Sequence, residues 1–100
     1  MSAGRLSKKV WEMKVTIAKV REIVAQHGRL GVAVDSLGDD SDLYLAGLTS
    51  LATVGVMLAL EDSFNIEFKE SMLSRKTFSS LEAMAEAVES LAQHTNPMPV

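Results

Sequence analysis

Between residues 10 and 24, apolar side chains recur at the three-then-four spacing of an amphipathic helix. The residues in this repeat are Val10, Met13, Ile17, Val20 and Val24. Lys14, Lys19 and Arg21 lie between them, and Gly28 follows His27 as a typical helix stop. The pattern predicts a first helix that ends before Gly28. It leaves open whether Met13 is the natural start, because the residues before Met13 are the least patterned although Val10 continues the stripe.

Helical signals also predict the elements in the second half of the chain. They are a second helix from about Ser50 to Ser63, a short helical turn near Glu70 to Ser74, and a last helix from Leu81 to about Leu91. Ser79 followed by Glu82 forms a capping box for the last helix. A strand signal at residues 65 to 68 is too short to count as an element.

Residues 28 to 48 connect the first two helices and show no sustained period. Their apolar residues are scattered: Val32, Val34, Leu37, Leu43 and Leu45. We predict a long ordered loop that is pinned to the core. Loops of this length in compact domains are commonly functional.

The predicted fold class is all-α, a small four-helix bundle with a long loop between helices 1 and 2 and a short third helix. A chain of 100 residues with 47% hydrophobic content can build one modest core. We therefore expect one domain over residues 1 to 92, and we leave open whether residues 1 to 8 are flexible. Residues 93 to 100, which include Pro97 and Pro99, are expected to form a disordered tail.

Composition and charge exclude several classes of function. The chain has no cysteine and two histidines far apart, so neither a disulfide framework nor a metal cluster is expected. No stretch is apolar enough to span a membrane and the basic start lacks a signal-peptide core, which predicts a soluble cytoplasmic protein without membrane contact. Seven acidic residues and no basic residue lie from Asp35 to Glu67, and this charge argues against nucleic acid and favours basic partners. A solvated acidic face explains the charge equally well.

Ser50 lies in the stretch AGLTSLATVG, residues 46 to 55, and its hydroxyl has three interpretations. As a helix cap it is ordinary, and Thr49 could serve equally well. As a catalytic nucleophile it lacks the expected surrounding motif, because GLTSL is not the G-x-S-x-G elbow. The general base that activates such a serine would have to be His27 or His94. As an attachment point for a phosphate-linked group it is well placed, since a helix N-terminus offers free N–H groups and the positive end of the helix dipole to the phosphate.

The second predicted helix has two apolar faces. One face holds Thr53, Val56, Met57, Leu60 and Phe64, and it belongs to the core. The other face holds Leu51, Val54 and Leu58, which we call the apolar strip. The strip is either a second core face or a partly exposed surface where a partner docks, with Glu61 and Asp62 supplying charge at its far end.

Residues 40 to 91 resemble the acyl carrier and peptidyl carrier family. The segment DSDLYLAGLTSLATVGVMLALEDSFNIEF is similar to the family signature D-x-x-x-x-G-x-D-S-L followed by LE-x-x-F. The resemblance implies a four-helix bundle whose Ser50 receives 4′-phosphopantetheine from coenzyme A through a separate phosphopantetheinyl transferase. The terminal thiol of that arm carries an acyl or aminoacyl group as a thioester, so the protein itself is not an enzyme. Gly47, Leu48, Thr49 and Leu51 then shape the attachment turn, with Thr49 as the helix cap.

The chain departs from this family at three positions. Thr49 stands where the family usually has Asp, and Ala52 and Gly55 stand where fatty-acid carriers often have carboxylates. We therefore expect docking through Leu51, Val54, Leu58, Glu61 and Asp62 to be more hydrophobic than in fatty-acid synthesis.

Three short motifs resemble the stand-alone aminoacyl carrier proteins of alphaproteobacteria: GLTSL, the HGRL that ends the first helix, and RKTF at residues 75 to 78. That resemblance implies loading by an amino acid:carrier protein ligase similar to a truncated seryl-tRNA synthetase, followed by downstream transferases. The expected protein is a monomer. His27 and Arg29 also have a plain explanation as basic residues at a helix C-terminus.

Two other functions stay open at this point. One is an unmodified helical protein–protein interaction module that uses the same apolar strip, and the other is a hydrolase that uses Ser50. Arg75 and Lys76 are either a solvated loop pair or a contact for a loading enzyme or a coenzyme A phosphate. Trp11 is interpreted as a packing residue, and Tyr44 as an anchor of the long loop.

Overall fold

The computed structural model describes residues 8–95 of the chain. Its three α-helices are α1 (Lys8–His27), α2 (Ser50–Phe64) and α3 (Leu81–Thr95). Two single turns of 3-10 helix lie between them, at Val34–Ser36 and Glu70–Met72. The described residues contain no β-strand, which confirms the all-α prediction.

The predicted bounds of the long helices are close to the observed ones. α1 ends at His27 as predicted, and α2 begins at Ser50 and ends one residue beyond the predicted Ser63. Asn65 terminates α2 in the left-handed conformation, with φ 56° and ψ 50°, and its N–H donates to the Glu61 carbonyl. A left-handed residue at this position is a common way to end a helix.

The short helical turn predicted near Glu70 to Ser74, which is the short third helix of the predicted bundle, is one 3-10 turn at Glu70–Met72. The Met72 N–H donates to the Lys69 carbonyl and the Leu73 N–H to the Glu70 carbonyl, which are the i to i+3 bonds of a tight turn. Leu73 then leaves helical geometry, at φ −86° and ψ 71°. A segment this short gains too few hydrogen bonds to offset helix nucleation, so the turn does not propagate.

The last helix extends further than predicted and has a different cap. α3 continues to Thr95, past the predicted end at Leu91 and into the predicted tail. Ser80, not Ser79, caps it: the Ser80 hydroxyl oxygen accepts from the Ala83 N–H at 3.0 Å. The Ser79 hydroxyl donates to the Lys76 carbonyl, and the Glu82 N–H donates to the Asp39 carbonyl, so the predicted capping box does not form. Residues 96 to 100 and residues 1 to 7 lie outside the described residues, and the domain boundaries stay a prediction.

The core lies where the three helices meet, and the loops contribute to it. Its fully buried larger side chains are Val20, Val24, Leu43, Val56, Leu60, Leu81, Met84 and Val88. Leu43 comes from the long loop, so that loop is pinned to the core as predicted. Ile66 and Phe68, in the segment with the weak strand signal, are also buried, and the ring centroids of Phe68 and Phe78 lie 5.4 Å apart.

Arg21 holds the first half of the long loop against α1. Its guanidinium donates to the carbonyls of Val34 at 2.7 Å and Leu37 at 2.9 Å. The same group donates to Asp39 Oδ1 at 2.7 Å. One side chain therefore binds two carbonyls of the loop, of which the Val34 carbonyl also accepts from the Leu37 N–H at 3.0 Å.

The N-terminal half of α1 packs less than its apolar stripe predicts. Val20 and Val24 are buried, Met13 and Ile17 are half-buried, and Val10 is exposed. Trp11 is 59% exposed, so the interpretation of Trp11 as a packing residue is wrong. The packing of α3 reaches Thr16, which is buried and whose hydroxyl donates to Glu89, and burial decreases from there toward the start of α1.

No helix in the described part of the chain is long and apolar enough to cross a bilayer. The cytoplasmic location stays a prediction.

Candidate functional site

Ser50 is the first residue of α2 and its side chain is exposed. The helix cap is its neighbour Thr49, which has extended geometry at φ −98° and ψ 166°. The Thr49 hydroxyl oxygen accepts from the Ala52 N–H at 3.0 Å. The structure therefore confirms Thr49 as the cap and leaves the Ser50 hydroxyl without a capping role.

The turn before Ser50 depends on a glycine. Gly47 has φ 114°, which a residue with a side chain rarely adopts. A Cβ at Gly47 would also lie 3.0 Å from the backbone N of Gly31. Leu48, the next residue, is buried, and its N–H donates to the Leu43 carbonyl at 2.9 Å. This anchored turn fixes the position at which α2 begins.

The apolar strip of α2 is an exposed surface and not a second core face. Leu51 is 84% exposed, Val54 48% and Leu58 54%, whereas Leu60 on the opposite face is fully buried. Burial of one face of α2 against α1 and α3 accounts for the difference.

The two acidic residues predicted at the end of the strip have different environments. Asp62 is exposed. Glu61 is half-buried, and its Oε2 accepts from the Phe68 N–H at 2.9 Å. Glu61 therefore ties the residues after α2 to the helix, and Asp62 is the carboxylate that faces solvent beside the strip.

A cavity of about 310 Å³ lies beside Ser50, between α2 and the segment that precedes α3. Its lining residues are Tyr44, Ser50, Thr53, Val54, Met57, Leu73, Ser74, Arg75 and Phe78. The guanidinium carbon of Arg75 lies 4.1 Å from the centroid of the Tyr44 ring. Leu73 and Ser74 line this cavity although the sequence does not indicate them, because no periodic signal marks this irregular segment.

A second depression lies on the other side of the first turn of α2. It is lined by Gln26, His27, Arg29, Thr49, Leu51, Ala52 and Gly55. This places two basic residues of the HGRL motif beside Thr49 and Leu51. Gly55 leaves open space here, since a Cβ at that position would meet no atom within 4 Å.

The surroundings of Ser50 do not support the hydrolase interpretation. The residues that line its cavity include no histidine, and His27 lies in the depression on the other side of the helix. The His94 side chain lies outside the part of the chain that the structure describes. Among the described residues, no group of histidine and acidic side chains could hold a metal ion.

Comparison with known protein families identifies the family to which the Ser50 region belongs. The family described as "Phosphopantetheine attachment site" matches residues 18–88, which include α2 and Ser50. The chain belongs to the phosphopantetheine attachment family. The 4′-phosphopantetheine group of this family is attached covalently.

Two curated proteins and a solved structure give this membership more detail. The chain is 46% identical to an aminoacyl carrier protein of Agrobacterium fabrum over 72 residues, which are 72% of this chain and 87% of that protein. It is 34% identical to the chloroplastic acyl carrier protein 4 of Arabidopsis thaliana, over 78% of this chain and 55% of that protein. A crystal structure of an engineered Bradyrhizobium japonicum glycine:[carrier protein] ligase complexed with a carrier protein from Agrobacterium tumefaciens and AMP matches with a TM-score of 0.71. That match has 45% identity and covers 73% of this chain and 97% of the matched chain.

The residues around Ser50 fit a phosphate-linked arm. The hydroxyl is accessible, and it lies at the positive end of the α2 dipole. The cavity beside it has a cationic residue, Arg75, and no Asp or Glu among its lining residues. A negatively charged phosphodiester on Ser50 would be attracted both by the N-terminus of α2 and by the Arg75 guanidinium.

Proposed function

We propose that Ser50 is the residue that carries the 4′-phosphopantetheine arm. The observation that supports this assignment best is the exposed hydroxyl of Ser50 beside a helix cap that Thr49 supplies. A hydroxyl that is not needed for capping can be esterified without loss of the cap hydrogen bond. Gly47, Leu48 and Thr49 hold the attachment turn, whereas Leu51 projects into solvent beside it.

We infer that the cargo on the arm is an aminoacyl group. Support comes from the 46% identity to a protein named aminoacyl carrier protein. It also comes from the 45% identity to a carrier that was crystallised with a glycine:[carrier protein] ligase. The protein is then a shuttle: a phosphopantetheinyl transferase installs the arm, an amino acid:carrier protein ligase of the seryl-tRNA-synthetase-like class loads it, and downstream transferases take the cargo.

We infer that the apolar strip is the docking surface for these enzymes. Its three exposed side chains recur along α2 at spacings that present them on one side of the helix. Ala52 and Gly55 replace the carboxylates of fatty-acid carriers, so binding on this surface depends on apolar contact more than on charge. Asp62 supplies the remaining exposed carboxylate, and Glu61 has an intramolecular role.

We infer further that the segment around Glu70–Met72 occupies the place of the short third helix in the family's four-helix bundle. It connects α2 to α3 and forms one wall of the cavity beside Ser50.

Loading of the holo protein tests the aminoacyl assignment. The pantetheinylated protein is incubated with ATP, single amino acids and an amino acid:carrier protein ligase, and thioester formation is followed by intact mass. A mass increase that hydroxylamine reverses is expected for a small amino acid, with glycine tested first. Loading by a fatty acyl ligase, with no amino acid accepted, would make the protein an acyl carrier of another class.

The docking surface has its own test. Val54→Arg places a charge in the middle of the strip and is expected to lower kcat/KM for loading by at least about tenfold, because a buried unpaired charge is costly at an apolar interface. Ala18→Arg, at an exposed position of α1, is the matched control. Equal loading rates for both variants and the wild type would remove the strip from the proposal.

The rival function is an unmodified interaction module. It predicts that Ser50→Ala leaves every function of the protein intact, whereas the carrier function predicts complete loss of loading.

A further inference from the structure

Arg75 lines the cavity beside α2, and the ring of Tyr44 orients its guanidinium. Its guanidinium carbon lies 4.1 Å from the centroid of Tyr44, within the range of a cation–π contact. Arg75, Tyr44 and Ser50 line the same cavity. The stacked guanidinium therefore lines the same cavity as the residue on which we propose that the arm is attached.

The positive charge of Arg75 has no carboxylate partner among the residues that the structure describes. Within residues 8–95, the ion pairs of the structure are Lys19 with Glu22 and Arg21 with Asp39. The residues that line the cavity include no Asp or Glu. A cation–π contact at an exposed site contributes only about 0.5–1 kcal/mol, so it orients the guanidinium but leaves its donors available.

The chemistry that fits this unpaired guanidinium is a phosphodiester. A phosphodiester carries one negative charge on two non-bridging oxygens, and the planar fork of an arginine can donate to both oxygens at once. A lysine at the same place would offer a point charge without that geometry.

We propose that Arg75 binds the phosphodiester of the arm on Ser50 and thereby sets the direction in which the arm leaves the protein. This inference rests on the proposed attachment at Ser50. With its phosphate held between the start of α2 and Arg75, the arm runs along the cavity, whose lining includes Val54 of the apolar strip. Arg75 is a positioning residue, because it acts on the arm and not on the reacting thioester.

Lys76 gives a control for general electrostatics. It has the same charge, is adjacent in sequence and is exposed, but it does not line the cavity. A nonspecific effect of positive charge near Ser50 would appear in variants of both residues. A specific contact would appear only in variants of Arg75.

The test uses the ³¹P NMR signal of the pantetheinylated protein. Attachment is first verified by intact mass for the wild type, Arg75→Gln, Arg75→Lys and Lys76→Gln. We expect the wild-type ³¹P shift to differ from that of the urea-unfolded holo protein. Arg75→Gln should remove most of this difference, Arg75→Lys should restore part of it, and Lys76→Gln should leave it unchanged.

A second measurement requires only the wild-type protein, in its apo and holo states. The side-chain Nε–H signal of Arg75 should shift between the apo and holo forms, while the corresponding signal of Arg21, which is occupied by the long loop, should stay in place. This comparison holds even where a variant is a poor substrate for the transferase.

Several results would overturn the inference. They are an identical ³¹P shift in wild type and Arg75→Gln, an equal effect of Lys76→Gln, or an Arg75 Nε–H signal that does not respond to the arm. Slower pantetheinylation of Arg75→Gln with an unchanged ³¹P shift would place the contact on coenzyme A during transfer, and that result also overturns the arm contact. Failure of the wild type to accept the arm at all is a different result, since it removes the proposed function itself.

Discussion

The hydroxyl oxygen of Thr49 accepts a hydrogen bond from the N–H of Ala52 at 3.0 Å, so the residue before the candidate attachment serine is the one that caps α2. The family usually has an aspartate at this position, and a carboxylate is also an effective helix cap. The threonine therefore keeps the structural role and removes a negative charge next to Ser50.

Substitutions at Thr49 test the cap. Thr49→Ala should lower the free energy of unfolding by about 1 kcal/mol, because the Ala52 N–H loses its partner, whereas Thr49→Asp should keep most of the stability. Urea denaturation followed by circular dichroism measures the change. Equal stability of the alanine variant and the wild type would show that the cap contributes nothing.

Removal of the Arg21 side chain should loosen the long loop. Arg21→Ala removes the side-chain donor of the Val34 and Leu37 carbonyls, of which Val34 keeps the Leu37 N–H, and we expect the free energy of unfolding to fall by about 1–3 kcal/mol. Lys19→Ala is the control, since its pair with Glu22 is exposed and such pairs contribute at most about 1 kcal/mol. Hydrogen exchange should accelerate in residues 33 to 39 for Arg21→Ala alone. An unchanged exchange pattern there would contradict the role of Arg21.

The two apolar faces of α2 should respond differently to the same truncation. Leu60→Ala creates a cavity in the core and should cost about 2–5 kcal/mol. Leu58→Ala removes a side chain that is 54% exposed and should change stability by less than about 1 kcal/mol. Thermal unfolding of both variants gives the comparison. A large loss for Leu58→Ala would indicate that the strip belongs to the core.

Gly55→Ala should stabilise the protein. Gly55 lies inside α2, a Cβ there meets no atom within 4 Å, and alanine is favoured over glycine in a helix interior by about 1 kcal/mol. The expected result is a higher midpoint of urea denaturation. A lower midpoint would mean that the space beside Gly55 is closed in solution.

The helices of this fold could be predicted from local signals. The apolar period and Gly28 located α1, and the order Gly47, Thr49, Ser50 located the start of α2. These signals are local because helix hydrogen bonds and caps join residues that are at most four positions apart.

The remaining features depend on tertiary contacts that a single sequence does not specify. Two adjacent serines could each cap α3, and Ser80 does so while the Asp39 carbonyl takes the N–H of Glu82. Periodicity predicted two apolar faces on α2 but could not say that Leu51 is exposed. The contact of Arg75 with Tyr44 joins residues 31 positions apart, so only the folded chain brings them together.

The most direct measurement is the intact mass of the protein after incubation with coenzyme A and a broad-specificity phosphopantetheinyl transferase. Ser50→Ala is compared with wild type, and Ser63→Ala is the matched control because Ser63 is an exposed serine at the other end of α2. We predict that the wild type and Ser63→Ala each gain one phosphopantetheine and that Ser50→Ala gains none. A full gain by Ser50→Ala, or no gain by the wild type with several transferases, would contradict attachment at Ser50.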